Sequence, residues 1–265
     1  MVTPKFSANL TMLFNEVDFL ARFERASRAG FKGVEYLFPY AWEKKELAEK
    51  LEKYGLEQVL HNLPAGDWAA GERGIACQPG RVGEFQEGVG LAVEYAKTLK
   101  CLRLNCLVGI TPKEVSPEKV RQTLVDNLRF AATTLEKEGI RLLVEPLNNQ
   151  DTPGFYLTRT RDALQLLAEV NCTNLWLQYD IYHMQIMEGN LTKTILDNLV
   201  HIAHMQLADN PGRHEPGTGE INYTKLFSFI DEAGYDGWIG CEYKPTGVTE
   251  EGLEWVKPYL KEGGG

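Results

Sequence analysis

The stretch I-R-L-L-V-E-P-L-N at residues 140–148 decides how this chain folds. Ile140, Leu142, Leu143 and Val144 make a nearly unbroken apolar run, the composition of a parallel strand covered on both faces. Pro146 has no N–H to give to a ladder and closes the strand. Glu145 is thereby set at the carboxyl end of a buried strand, where parallel α/β sheets keep their chemistry. A strand-end glutamate can equally turn into solvent. The way the other strands end decides between the two.

Working outward, residues 117–138 repeat apolar side chains at Val120, Leu124, Leu128, Ala131 and Leu135, a helix stopped by Gly139. The same strand-then-helix alternation runs through the whole chain. Strands are expected at 5–9, 33–37, 56–61, 101–107, 175–180, 202–207 and 238–242, with the opening stretch as the fifth of eight. A closing helix is expected at about 250–260, followed by a Gly-rich tail at 262–265 that is expected to be disordered. Uniform βα alternation implies a parallel sheet with right-handed crossovers, and eight units imply closure into a (β/α)8 TIM barrel. No linker or shift in composition divides residues 1–265, so one domain is expected. A doubly wound open sheet is the competing architecture. It usually carries a Gly-rich dinucleotide turn after its first strand, and S-A-N-L-T-M-L-F-N at 7–15 is no such turn. The connection at 62–80 is unusually long for a compact domain; with Trp68 and Ile75 inside it, an ordered lid is expected.

Composition narrows the partners. The 265 residues are 43% hydrophobic and 25% charged, ordinary for a globular α/β protein. A net charge of -9 argues against a nucleic-acid backbone, which needs a basic face, while leaving room for a small anion. Five cysteines form no C-x-x-C pair, which fits reduced thiols in the cytoplasm and disfavours a cysteine zinc site. No apolar run reaches the roughly 18 residues a membrane span needs. A homo-oligomer is left open, since no unusually apolar outer face stands out.

The strand ends answer the opening question. After Glu145, the sixth strand ends in Asp180 (L-W-L-Q-Y-D), the seventh carries Gln206 (H-M-Q-L) and the eighth ends in Glu242 (I-G-C-E-Y). Four consecutive strands deliver an oxygen-bearing side chain to one rim, and in a barrel those positions converge on the axis. Three converging carboxylates without a cation repel one another. A divalent metal held by Glu145, Asp180, Gln206 and Glu242 resolves this, and an all-oxygen set favours Mg²⁺ or Mn²⁺ over zinc. His183 follows in D-I-Y-H-M, either as a packed loop residue or as a neutral donor to a substrate oxygen. Arg213, in the turn-rich N-P-G-R-H-E-P-G, is either solvated or an anion clamp. His204 shares the face of Gln206 and reads as packed. His61, at the end of the third strand, is a candidate substrate contact, and Glu35 either joins it or supports it.

The segments H-N-L-P-A-G-D-W-A-A-G-E-R-G-I-A-C at 61–77, Q-Y-D-I-Y-H-M-Q at 178–185 and A-D-N-P-G-R-H-E-P-G-T-G-E-I-N-Y at 208–223 resemble the hydroxypyruvate isomerase family of xylose-isomerase-like barrels. The resemblance runs from F-S-A-N-L at 6–10 to G-C-E-Y-K-P at 240–245, and the G-D-W-A-A-G-E-R-G loop is its specific part. It implies a TIM barrel, a divalent cation and two catalytic glutamates that also hold the metal, at the matching positions Glu145 and Glu242. The implied reaction interconverts hydroxypyruvate and tartronate semialdehyde through an enediolate. Its small anionic hydroxy-oxo acid substrate needs a cation for its carboxylate, for which Arg213, Arg73 and Lys244 are candidates. Trp68 either covers the reaction from water or anchors its own loop. Close relatives, the 2-oxo-tetronate isomerases, and the ketose 3-epimerases would use the same metal rim. A barrel nuclease would need many histidines and basic loops, and this chain has five histidines and an acidic balance.

Overall fold

The computed structural model describes residues 4–261; the tail at 262–265 lies outside the described residues. In chain order the elements are β1 (Lys5–Asn9), α1 (Phe19–Arg28), β2 (Gly33–Glu35), α2 (Lys44–Tyr54), β3 (Glu57–Asn62), α3 (Val82–Leu99), β4 (Arg103–Cys106), α4 (Pro117–Glu136), β5 (Arg141–Val144), α5 (Thr160–Val170), β6 (Leu175–Asp180), α6 (Ile181–Met187), α7 (Leu191–Asn198), β7 (Ile202–Leu207), α8 (Tyr223–Glu232), β8 (Trp238–Cys241) and α9 (Lys257–Lys261). The eight strands pair in sequence order and β8 closes on β1, every pair parallel. The TIM barrel expected from the alternation is the fold.

Most of the core lies between the strands and the surrounding helices. Phe23 and Ala26 of α1, Leu47 and Leu51 of α2, Val89, Ala92 and Ala96 of α3 and Leu124, Leu128 and Ala131 of α4 are buried there at helical spacing. Inside the barrel a second, smaller group of Val59, Leu60, Leu143 and Ala203, with Trp176 and Trp238 packed on it, forms an apolar plug. Because side chains alternate along a strand, the inward residues two steps beyond Leu143, Trp176 and Trp238 include Glu145, Gln178 and Gly240, with Asp180 and Glu242 two steps further on β6 and β8. The plug therefore supports a polar layer that faces the carboxyl-terminal mouth.

Three local departures from the sequence reading matter for the site. β2 stops at Glu35, because its register against β3 shifts between Val34 and Glu35. The segment after Asp180 is helical, not a loop: Asp180 Oδ1 caps α6 by accepting from the main-chain N–H of Tyr182 (2.8 Å) and His183 (3.3 Å). The closing helix is broken into a 3₁₀ turn at Thr249–Leu253 and α9.

Gly240 shows how tightly the polar layer is built. It sits opposite Gln206 in the register, and a Cβ there would lie 2.2 and 2.4 Å from the two carboxylate oxygens of Glu35. Only a glycine lets β8 pass over that buried group. Gly240→Ala is expected to destabilise the protein by about 1–3 kcal/mol through overpacking. Urea unfolding measures this as a lower midpoint at unchanged slope, and an unaltered midpoint would refute the close approach.

Candidate active site

The four rim positions do converge. Glu145, Asp180 and Glu242 are buried at the mouth, and one oxygen from each, with one ring nitrogen of His183, all lie within 4.8 Å of one another. The free atoms suit a cation. Asp180 Oδ2 is buried without a hydrogen-bond partner among the described residues. Glu145 Oε2 accepts from Asn105 Nδ2 at 2.9 Å. Glu242 Oε1 accepts from Asn9 Nδ2 at 3.1 Å, and its Oε2 from Arg213 Nη2 at 2.5 Å. Gln206 donates through Nε2 to Glu35 (2.8 Å), and its Oε1 accepts from Gln178 (2.6 Å), leaving a second lone pair on that oxygen. This oxygen-rich donor set could hold a metal, and the neutral amide would complete it.

The electrostatics show what the cation would relieve. Burial, then the charges of Glu242 and Asp180, push the Glu145 carboxyl well above the ordinary carboxylate range. Burial likewise raises Asp180, and raises Glu242 to about 8 although Arg213 works against it. Three acids that resist ionising together are the signature of a site completed by positive charge.

Beneath them lies a carboxylate of opposite character. Glu35 is fully buried and accepts from Ser7 Oγ (2.9 Å), Asn9 Nδ2 (3.2 Å) and Gln206 Nε2, with His204 Nε2 at 2.9 Å. Burial opposes its ionisation, yet the electrostatics and hydrogen bond of His204, with those of Gln206 and Ser7, hold its pKa below the ordinary value. The expectation that Glu35 touches substrate or supports His61 is corrected here. It sits a layer below the mouth, paired with His204, and fixes Asn9 and Gln206. His204 is packed, as its place in the strand implied.

Arg213 is held by a loop with its own organiser. The Asp209 carboxylate accepts main-chain N–H groups from Asn210, Gly217, Gly219 and Ile221 at 2.8–3.1 Å. The loop so formed presents Arg213 at φ 58°, a left-handed conformation that a non-glycine residue rarely adopts. The guanidinium lies over the Tyr182 ring (5.1 Å) and 3.9 Å from Asp180 as well as against Glu242. It is a partnered group of the site, not a solvated arginine.

The rim opens into a cavity of roughly 220 Å³. Met12, Leu37, Leu107 and Leu147 give it apolar walls, and Glu145, His183, Arg213 and Glu242 its polar floor. The long connection after β3 supplies the cover, as expected of a lid. Arg73 lies 3.9 Å over the Trp68 ring and donates to the carbonyls of Trp68 (3.1 Å) and Glu72 (2.7 Å), while Trp68 packs edge-on against Phe38. Glu72 pins the loop by accepting from Asp67 N and pairing with Arg81. His61 does not line this cavity. It is buried behind β3 against Tyr40, and burial lowers its pKa to about 4; the neighbouring Asn62 faces the cavity instead. Lys244 is likewise absent from the lining. Sequence reasoning passed over Asn9, Asn105, Gln178 and Asn148, the amides that hold the acids and His183. For Asn9, Asn105 and Gln178 the signal was available as polar residues at inward parity in strands that are otherwise apolar; Asn148 lies in the loop after β5, where no such parity applies.

The raised carboxyls make metal-free stability depend on pH. An acid whose folded pKa lies above its unfolded value of 4.5 stabilises the fold fully below 4.5, and that contribution is lost as pH rises through about 8 for Glu242. The melting temperature of chelator-treated protein is expected to fall between pH 6 and pH 9, and saturating Mg²⁺ to flatten that fall. A metal-free melting temperature that rises over this interval would contradict the assignment.

Comparison with known proteins places these features in a wider group. Residues 23–259 match the family model described as xylose isomerase-like TIM barrel. The chain is 59% identical to the hydroxypyruvate isomerase of Escherichia coli strain K12, over 96% of this chain and 99% of that protein. It is 45% identical to the 2-oxo-tetronate isomerase of Cupriavidus necator, over 97% and 99%. A solved structure from Brucella melitensis, described as an AP endonuclease of family 2, superposes with a TM-score of 0.95 at 47% identity, covering 97% of this chain and 99% of that one.

Proposed function

The chain belongs to the xylose isomerase-like TIM barrel family, within its group of hydroxypyruvate and 2-oxo-tetronate isomerases, and from that premise we propose that it interconverts hydroxypyruvate and tartronate semialdehyde. The observation that carries the reading is the pair of buried glutamates, Glu145 and Glu242, reaching one small cavity from strands β5 and β8 beside a caged Arg213. The reaction moves a carbonyl one carbon along. A C–H proton leaves C3 of hydroxypyruvate, the hydroxyl proton passes from O3 to O2, and a proton is delivered to C2.

Glu145, Asp180, Gln206 and Glu242 would hold a divalent cation, Mg²⁺ or Mn²⁺ by their oxygen donors. When bound, it supplies Lewis-acid stabilisation of the negative charge that builds on the substrate oxygens. The protein does the rest. Glu145 and Glu242 act as acceptor and donor of the carbon-bound proton, and burial raises both carboxyls above the ordinary carboxylate range. Asn105 and Asn9 hold the two carboxylates in place. Arg213 neutralises Glu242 and Asp180, and Arg73 at the cavity roof meets the substrate carboxylate. Trp68 closes the roof against water.

A cavity of roughly 220 Å³ lined by Leu37, Leu147 and Trp68 has room for a three-carbon acid. The second reading, a 2-oxo-tetronate isomerase, rests on the 45% identical relative and needs one more carbon to be housed. Against the nuclease description carried by the Brucella structure stands the net charge of -9, which disfavours a phosphate backbone as partner. Five free cysteines fit the reducing conditions of the cytoplasm.

Glu145→Gln and Glu242→Gln are each expected to lower kcat by about 100-fold or more, in keeping with loss of a general acid or base. Mg²⁺ binding by calorimetry would confirm that the site still loads. Turnover within a few-fold of the parent in either loaded variant would end the two-glutamate scheme. Parallel assays on hydroxypyruvate, a four-carbon 2-oxo acid and a ketohexose are expected to rank the three-carbon substrate first by kcat/KM.

A further inference from the structure

Two N–H groups converge on one nitrogen of His183. The main-chain N of Asn148 lies 3.1 Å from Nδ1, and the side-chain Nδ2 of the same residue 2.7 Å from it. The orientation of the Asn148 amide is fixed by its other partners. Its Oδ1 accepts main-chain N–H groups from Gln150 (3.0 Å) and Asp151 (2.8 Å), while Nδ2 also donates to Asp151 Oδ2 at 3.0 Å. Turning the amide over would set its oxygen against a carboxylate and its NH₂ against two N–H groups. Tyr182 Oη, donating to the same Asp151 oxygen at 2.9 Å, holds that carboxylate in place.

An imidazole nitrogen that receives N–H donors has to offer its lone pair, so the single proton of the neutral ring sits on Nε2. That atom is on the side of the site, 3.6 Å from Asp180 Oδ2, and His183 lines the cavity.

We propose that Asn148 is a positioning residue that locks His183 in its Nε2–H form, making His183 a hydrogen-bond donor to a substrate oxygen and not a ligand of the cation. By position alone His183 belongs with Glu145, Asp180 and Glu242 as a metal-binding group. A metal needs a lone pair, however. Nδ1 has given its own to Asn148, and Nε2 carries a proton. The fourth protein donor is then the amide oxygen of Gln206. The consequence for catalysis rests on the isomerase reading. As charge builds on the oxygens of neighbouring substrate carbons, a fixed N–H stabilises one of them without surrendering its proton. The lock also keeps the imidazole from competing with Glu145 and Glu242 as a base.

The tautomer is a property of the protein without substrate and is measured directly. In full-length protein labelled with ¹⁵N-histidine, long-range ¹H–¹⁵N correlation spectra distinguish a bare from a protonated ring nitrogen. The His183 signals are identified by their loss in His183→Gln. We expect a bare Nδ1 and a protonated Nε2, retained at saturating Mg²⁺. A protonated Nδ1, or an Nε2 that loses its proton when Mg²⁺ is added, overturns the lock. Asn148→Asp replaces a donor by an acceptor at nearly the same shape. It is expected to shift His183 towards the Nδ1–H form and to lower kcat on hydroxypyruvate roughly tenfold or more, with a smaller change in KM. Should that variant fail to fold, Asn148→Ala serves: a mixture of tautomers with reduced kcat supports the role, and an unchanged tautomer with parental kcat overturns it. A parent protein that shows the Nε2–H form yet does not turn over hydroxypyruvate would keep the lock and sink the isomerase reading.

Discussion

Like charge confined at low dielectric is the constraint on which the mouth of this barrel depends. Parallel strands aim inward side chains from β5 to β8 at one axis, and three of the four rim residues they deliver are acids. Burial alone would neutralise them by protonation. The protein counters from several directions. Arg213 brings a cation from the β7–α8 loop, Asn9 and Asn105 donate from β1 and β4, and the capped first turn of α6 places two N–H groups on Asp180. Among the described residues, Arg213 is the only arginine or lysine that pairs with these acids. The unpartnered Asp180 Oδ2 is where that shortage is visible.

The layer below inverts this logic. Glu35 has a full set of donors and its pKa is held below the ordinary value, whereas burial raises those of the acids above it. Its value lies in direction. By taking one N–H each from Asn9 and Gln206, it turns the remaining atoms of those amides toward the rim. Replacing a network of this kind by apolar groups of the same volume need not cost stability. It would, however, leave Glu242 and Gln206 without a fixed orientation, and a proton-transfer site tolerates little misplacement.

Much of this was legible in the residues. The fold followed from strands such as 140–144 and helices such as 117–138, whose periodicities differ clearly. The rim acids were legible because each closes its strand at the same relative position. What escaped the sequence depends on register across the barrel. Glu35 and His204 are 169 residues apart and meet only because β2 and β7 face one another through the interior. Whether His61 or Asn62 faces the cavity is a question of parity, which the shift between β2 and β3 obscures. Asp180 reads as a ligand from its place at a strand end, and its second task as the cap of α6 emerges only with the helix at Ile181–Met187.

The cover over the cavity has a property that its parts lack. Arg73 is bound to the carbonyls of Trp68 and Glu72 and stacked on the Trp68 indole, so charge and aromatic surface form one rigid tile. Neither can move without the other. Displacing the tile would uncover the cavity and take a positive charge from its roof in one movement, leaving Arg213 as the cation at the floor. Cover and charge at the roof are thus coupled through a single element of the loop.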